Sequence, residues 1–202
     1  MESIPDTVKH VDQAFWYILS FSFFFLILIT TVMIVFVVKY RRKAHPVSVD
    51  IRDNWKLELA WTLIPTLIAL SMFYFGWSSY LSLRNVPPGA LEIDVEAQMF
   101  SWLFLYPDDK ESKNVLVVPV GKPVKLNITS LDVIHGLFIP AFRVKVDAVK
   151  GMKTYVWFYP DKEGEYTIFC AEYCGTEHSD MRGTVKVVST VAYAEWLKSD
   201  DD

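Results

Sequence analysis

Two long stretches of the chain carry no charge. From Phe15 to Val38 the side chains are mostly Phe, Ile, Leu and Val, and from Leu59 to Leu83 a second uncharged run includes Trp61, Trp77 and Tyr80. Each exceeds the roughly 20 residues a helix needs to cross the hydrocarbon core of a bilayer, and Trp and Tyr favour the membrane–water boundary. A buried helix of a soluble protein seldom needs so long an uncharged stretch, and the apolar part of a signal peptide is only about 7 to 15 residues long. The pattern predicts two transmembrane helices, at 15–38 and 57–83.

After Arg84 the periodicity changes. Asn85-Val86-Pro87-Pro88-Gly89 is rich in helix and strand breakers, which sets a linker at 84–90. Beyond it, short runs of β-branched and aromatic residues alternate with turn residues. Strands are expected near 91–106, 114–119, 123–129, 133–140, 152–159, 165–170 and 183–188, separated by turns such as Pro107-Asp108-Asp109 and Asp161-Lys162-Glu163-Gly164. This spacing predicts an all-β sandwich or barrel over 91–189. A short helix follows at 193–198, inside a terminal segment 190–202.

Charge orients the two helices. Lys39, Arg41, Arg42 and Lys43 follow the first span directly, and Arg52 and Lys56 precede the second. By the positive-inside rule the 39–56 linker is cytoplasmic. The N-terminal segment 1–14 and the β-domain then lie on the outer side, the periplasm of a bacterium. The net charge of -4 in 202 residues, with no basic cluster outside the linker, excludes a nucleic-acid footprint. Glu92, Asp94, Glu96, Asp108, Asp109, Asp132 and Asp161 make the outer portion acidic, which suits steering of a basic protein partner; a merely solvated face is the plainer account.

The chemistry concentrates in Cys170-Ala171-Glu172-Tyr173-Cys174-Gly175-Thr176-Glu177-His178-Ser179-Asp180-Met181, which holds both cysteines of the chain. Thiolate, imidazole and thioether together form a ligand set that selects copper. A single-copper electron-transfer site needs one Cys, two His and a weak Met; the additional cysteine supplies a second thiolate able to bridge two coppers. His135 is the other histidine of the outer domain and the natural second imidazole. A disulfide or a structural zinc site are the alternatives, but the disulfide leaves His135, His178 and Met181 unexplained, and zinc has no use for methionine. Phe100, Trp102, Phe104 and Tyr106 alternate as on one strand face, either as an aromatic core face or as a functional cluster.

Cys-x-Glu-x-Cys-Gly-x-x-His-x-x-Met with an upstream Asp-x-x-His resembles subunit II of cytochrome c oxidase, the dinuclear copper A subunit of haem-copper terminal oxidases. The likeness extends to Leu57-Glu58-Leu59-Ala60-Trp61-Thr62-Leu63-Ile64-Pro65 at the second span and to Asp147-Ala148-Val149. It implies two transmembrane helices followed by a cupredoxin-like β-domain, in the cell (inner) membrane. It further implies a centre of two copper ions in mixed valence, bridged by Cys170 and Cys174, each copper terminated by His135 or His178. Met181 and the carbonyl of Glu172 would be weak axial ligands, and the Glu172 side chain would face a magnesium ion shared with the catalytic subunit. The implied function is electron relay, without bond-making catalysis in this chain. Electrons would pass from cytochrome c, a separate chain, to haem in catalytic subunit I, which reduces oxygen in a proton-translocating oxidase of several subunits.

Electron entry is implied at Phe100 and Trp102, and proton entry at Glu58. Asp132 matches a family carboxylate near the cytochrome docking face, although a turn-capping role suits it equally. Two departures stand out: Phe100 occupies a place where tryptophan is usual, and Lys150-Gly151-Met152 replaces a common Pro-Gly-Arg. A quinol-oxidase subunit that lacks copper, and a membrane-bound copper carrier or sensor, are the competing readings.

Overall fold

The structure is a computed structural model and describes residues 7–47, 50 and 53–199. Arg52 of the charged linker, the first residues 1–6 and the tail 200–202 lie outside the described residues. The chain divides into two compact units, one containing most of two long helices and the other a β-domain.

The first unit is built on helices α1 (Thr7–Lys39) and α2 (Trp55–Arg84), both long and apolar enough to cross a membrane. At 33 residues, α1 reaches about 50 Å, well beyond the roughly 30 Å of a hydrocarbon core. It begins before the uncharged run because Lys9 and Asp12 are compatible with helix outside the hydrocarbon. The helices contact through Tyr17, whose hydroxyl lies 2.7 Å from Ser71 Oγ and whose ring packs 4.7 Å from that of Phe75. Most other side chains of both helices face outward, as expected where lipid takes the place of a protein core.

The β-domain is a sandwich of two five-stranded sheets. Its strands are β1 (Leu91–Gln98), β2 (Ser101–Leu105), β3 (Glu111–Lys113), β4 (Val115–Pro119), β5 (Val124–Ser130), β6 (His135–Ile139), β7 (Val144–Ala148), β8 (Thr154–Phe158), β9 (Gly164–Cys170) and β10 (Arg182–Val188). One sheet has the order β3-β2-β1-β5-β8, the other β4-β10-β9-β6-β7, with β1–β5 and β4–β10 parallel and the remaining pairs antiparallel. Alternation explains the packing: in β5, Val124, Leu126 and Ile128 point inward while Lys125, Asn127 and Thr129 point out. Ile93, Val95, Leu137, Ile168, Val185 and Phe158 join them in a continuous core. Helix α3 (Thr190–Lys198) follows β10, capped at its N-terminus by Ser189 Oγ, which accepts from Ala192 N at 3.2 Å.

The sequence expectations need three local corrections. The segment 91–106 is a tight hairpin rather than one strand, because Gln98 pairs with Ser101 and leaves Met99 and Phe100 as the turn. Phe100 therefore does not share a strand face with Trp102, Phe104 and Tyr106, which are buried core residues. The segment 133–140 yields a shorter β6, after which a 3-10 turn at Pro140–Phe142 reverses the chain into an unexpected β7, whose Val144, Val146 and Ala148 alternate with outward Lys145 and Asp147 as in a half-buried strand. Strand β3 was also unexpected, since Glu-Ser-Lys carries no apolar signal.

Candidate metal centre

The site forms at one end of the sandwich, where β6 begins, β9 ends and the β9–β10 loop returns. Strands β6 and β9 pair through Leu137 with Cys170 and Phe138 with Phe169, which places His135 beside the first cysteine. Gly136 permits the approach: a Cβ there would sit 3.1 Å from Glu172 N and 3.2 Å from the carbonyl carbon of Ala171. Its carbonyl accepts from Ala171 N at 2.8 Å, fastening the start of the loop to β6. The far end is held by Cys170 N donating to Met181 O at 3.2 Å, and by Met181 N donating to Glu177 O at 3.1 Å.

Within this frame the soft donors converge. Cys170 Sγ and Cys174 Sγ are 3.8 Å apart; Cys174 Sγ is 3.8 Å from Met181 Sδ and 3.6 Å from His178 Nδ1; Cys170 Sγ is 3.9 Å from His135 Nδ1 and 3.2 Å from the carbonyl oxygen of Glu172. Ligand atoms of His135, Cys170 and Cys174 all lie within 4.8 Å of one another. His135, Cys170, Cys174 and Met181 are buried, and both cysteines are free thiols. Two sulfurs, each beside a different imidazole nitrogen, with a thioether and a carbonyl alongside, fit soft transition-metal binding.

Asp132 organises the histidine. His135 Nε2 donates to Asp132 Oδ1 at 2.7 Å, so the proton resides on Nε2 and Nδ1 offers its lone pair toward Cys170. The same carboxylate accepts from Met99 N at 2.7 Å and Val133 N at 2.6 Å. Partial burial pushes the carboxyl up, but the bond from His135 and those from the two backbone N–H groups outweigh it and hold Asp132 down at about 2. Burial, joined by the neighbouring Cys170, pushes the Cys174 thiol up to about 11.

Phe100 rests against the ligand loop, since a Cβ on Gly175 would lie 3.0 Å from its Cε1 and Cζ atoms. Gly175 has φ +140, a conformation that favours glycine, and it directly follows Cys174. Trp102 is fully buried, its ring edge-on to His135 at 6.2 Å. The Glu172 side chain is exposed, and Tyr173 beside it stacks obliquely on His178 at 5.7 Å. Glu58 belongs to the other unit, in the exposed first turn of α2. In the sequence Gly175 stands only as a fixed position of the Cys-Gly-x-x-His motif and Gly136 is not singled out; the importance of both is a matter of backbone approach. The role of Asp132 toward His135 was visible only as an i,i+3 spacing.

Comparison with known proteins agrees with this geometry. Residues 91–188 match the family model described as the periplasmic domain of cytochrome c oxidase subunit II, and residues 3–76 match its transmembrane domain. The chain is 29% identical to cytochrome c oxidase subunit 2 of Cereibacter sphaeroides, covering 85% of this chain and 70% of that one. It is 31% identical to cytochrome bo(3) ubiquinol oxidase subunit 2 of Buchnera aphidicola, covering 96% and 72%. The crystal structure of the periplasmic domain of subunit II of cytochrome oxidase from Bradyrhizobium japonicum superposes with a TM-score of 0.55 at 32% identity, over 56% of this chain and 95% of that one.

Proposed function

The chain belongs to the cytochrome c oxidase subunit II family, and on that premise we propose that it relays electrons from a c-type cytochrome, a separate chain, to haem in the catalytic subunit that reduces oxygen. It is a membrane protein with two apolar helices and a periplasmic domain, and a subunit of an oxidase complex with partner subunits. The observation that carries the relay reading is the 3.8 Å approach of two buried thiols, each facing a different imidazole nitrogen.

Cys170, Cys174, His135, His178, Met181 and the Glu172 carbonyl would together hold two copper ions. Bound there, a copper pair would supply one-electron redox chemistry. The chain's own residues keep the surroundings still: Asp132 fixes the His135 ring, the Gly136–Ala171 bond anchors the loop, and burial of Met181 and both cysteines excludes water. A rigid, dry setting of this kind limits the rearrangement that accompanies a change of charge.

Phe100, in contact with the ligand loop, is assigned electron entry, while the burial of Trp102 suits it to the inner wall of the site. The exposed Glu172 carboxylate is assigned to a magnesium ion shared with the catalytic subunit. Glu58 is assigned proton entry, with the 39–56 linker on the cytoplasmic side of the inner membrane and the segment 1–14 on the outer side.

Metal analysis and electron paramagnetic resonance of the purified oxidase test the reading. Two coppers in this subunit with one spin shared between them are expected, and Cys170→Ser or Cys174→Ser should each abolish that signal. One copper, or none, overturns it. The likeness to a ubiquinol oxidase subunit supports one alternative, a copper-free subunit of a quinol-driven oxidase; the same metal analysis separates the two.

A further inference from the structure

Helices α1 and α2 touch at the end away from the charged linker, where Tyr17 meets Ser71 and Phe75, and Ser79 Oγ donates to the carbonyl oxygen of His10 at 3.1 Å. Toward the linker they part and leave a groove of about 790 Å³ between them. On α1 its wall is a single stripe, Leu28, Val32 and Phe36 a turn apart with the residue after each; on α2 it is Leu57 and Trp61. All of these side chains are exposed. From Leu28 to Val37 the stripe runs about 14 Å, roughly one leaflet of a 30 Å hydrocarbon core. Leu57 and Trp61 lie one turn apart on one face of α2, whereas Glu58, assigned to proton entry, is about 100° round the helix from Leu57.

The mouth of this groove is cationic. Val37 is followed closely by Lys39, Arg41, Arg42 and Lys43, and Leu57 is preceded directly by Lys56. Ala44 N and His45 N both donate to the carbonyl oxygen of Arg41, at 2.9 and 3.0 Å, so the chain turns as soon as α1 ends and keeps Arg42 and Lys43 beside it. All five cations are exposed, and among the described residues none is paired with a carboxylate. Lys39 and Lys56 lie instead over the rings of Tyr40 and Trp55, at 5.2 and 5.9 Å. The carboxylates near in sequence, Asp50, Asp53 and Glu58, are fewer than the cations and leave the mouth positive.

The charge decides between the two kinds of occupant an apolar groove in a bilayer can take. A transmembrane helix of a partner subunit would bring its own cytoplasmic end to the mouth, and such ends are themselves enriched in Lys and Arg. Like charges would then meet in the headgroup region. A phospholipid with an anionic headgroup supplies both complements, an apolar chain for the stripe and a negative charge for the mouth. Basic pockets between helices on the cytoplasmic side bind such headgroups.

We propose that the groove between α1 and α2 binds one anionic phospholipid, its acyl chain lying between the Leu28–Val37 stripe and Trp61 and its phosphate among Lys39, Arg41, Arg42, Lys43 and Lys56. This rests on the reading of the 39–56 linker as cytoplasmic and gives that linker a ligand. Burial of the chain supplies affinity for any phospholipid, and the cations supply the preference for negative charge. Each Lys or Arg close to an anionic headgroup contributes about fivefold in affinity.

The test uses the intact oxidase, stripped of lipid in detergent and titrated with dioleoyl phosphatidylglycerol or dioleoyl phosphatidylcholine, each carrying a photoreactive acyl chain. Phosphatidylglycerol is expected to label residues 28–37 and 57–61 saturably, and phosphatidylcholine to need about tenfold more lipid or beyond for the same yield. Arg41→Gln, Arg42→Gln and Lys43→Gln combined should weaken labelling by phosphatidylglycerol about a hundredfold and leave that by phosphatidylcholine unchanged. Val32→Trp, which fills the groove and spares the cations, should abolish labelling by both. Equal labelling of the unaltered oxidase by the two lipids, labelling spread evenly along α1, or a triple variant that binds as before overturns the proposal. Loss of the co-purifying catalytic subunit from Val32→Trp also overturns it, by assigning the groove to the subunit interface. Ala44→Cys, expected to react with a membrane-impermeant maleimide in inverted vesicles but not in spheroplasts, reports on the orientation by itself and so separates a failed lipid site from a failed topology.

Discussion

The Asp132 carboxylate accepts a 2.7 Å hydrogen bond from His135 Nε2 and thereby decides which face of the imidazole is free to bind metal. Against the upward push of partial burial, the bonds from His135, Met99 N and Val133 N also account for its low pKa of about 2 against an ordinary 3.8. The two properties lead to separate measurements.

Because the folded-state pKa is depressed, the carboxylate contributes stability that is fully present above about pH 4 and is lost as the pH falls through 2. In the copper-free chain, Asp132→Asn should flatten that part of the acid limb, a contribution of about 2 kcal/mol or less. Thermal unfolding of both proteins between pH 2 and 6 measures it. In the loaded protein, the same substitution should lower copper affinity about 10- to 100-fold by freeing the ring of His135.

Cys170 and Cys174, 3.8 Å apart at sulfur, need little movement to reach the roughly 2.05 Å of a disulfide. Air oxidation of copper-free protein should therefore remove both free thiols and abolish copper uptake, and reduction should restore it. Thiol titration before and after treatment follows the change; uptake unaffected by oxidation would contradict it.

Copper binding should be accompanied by proton release. With burial pushing Cys174 up to about 11, its sulfur is a thiol at pH 7, and coordination requires the thiolate. Apparent affinity is expected to climb as the pH rises from 6 to 9, and a pH-stat experiment should record protons displaced on loading.

Gly136→Ala would place a methyl group 3.1 to 3.2 Å from the backbone of Ala171 and Glu172, where no flexible side chain can yield. A destabilisation of about 1–3 kcal/mol is expected, together with loss of copper binding, readable by denaturant unfolding and metal content.

Met181 is almost wholly buried, and leucine has nearly its volume. Met181→Leu should cost less than about 1.5 kcal/mol in stability and should leave copper bound at an altered reduction potential, measured by redox titration of the visible absorption.

Much of this was legible in the sequence because it depends on residue type and spacing. Uncharged runs too long for a soluble core announced α1 and α2, and the Cys-His-Met loop carried its chemistry in a dozen consecutive residues. The features that escaped depend on backbone paths. A strand pattern cannot show that Gln98 and Ser101 face each other across a turn, so Phe100 was grouped with Trp102 when it lies instead against Gly175. Strand β7 is only five residues long and follows β6 through a 3-10 turn, so its alternation of Val144, Val146 and Ala148 with Lys145 and Asp147 is easily passed over, and the value of Gly136 lies in what it lacks. Asp132 shows in the sequence as the first residue of an Asp-x-x-His spacing, while its hold on the His135 ring depends on the path of the loop between them.

His135 stands edge-on to Trp102, and Trp102 belongs to the same packed interior as Phe104 and Leu137. The wall behind the site is thus also the keystone of the sandwich. Close-packed interiors transmit displacement instead of absorbing it, so a change of one methyl group deep between the sheets should register in the reduction potential of copper held there. Tuning of this wire is a property of the whole barrel of side chains around it, and variation far from any sulfur is where its fine adjustment should be sought.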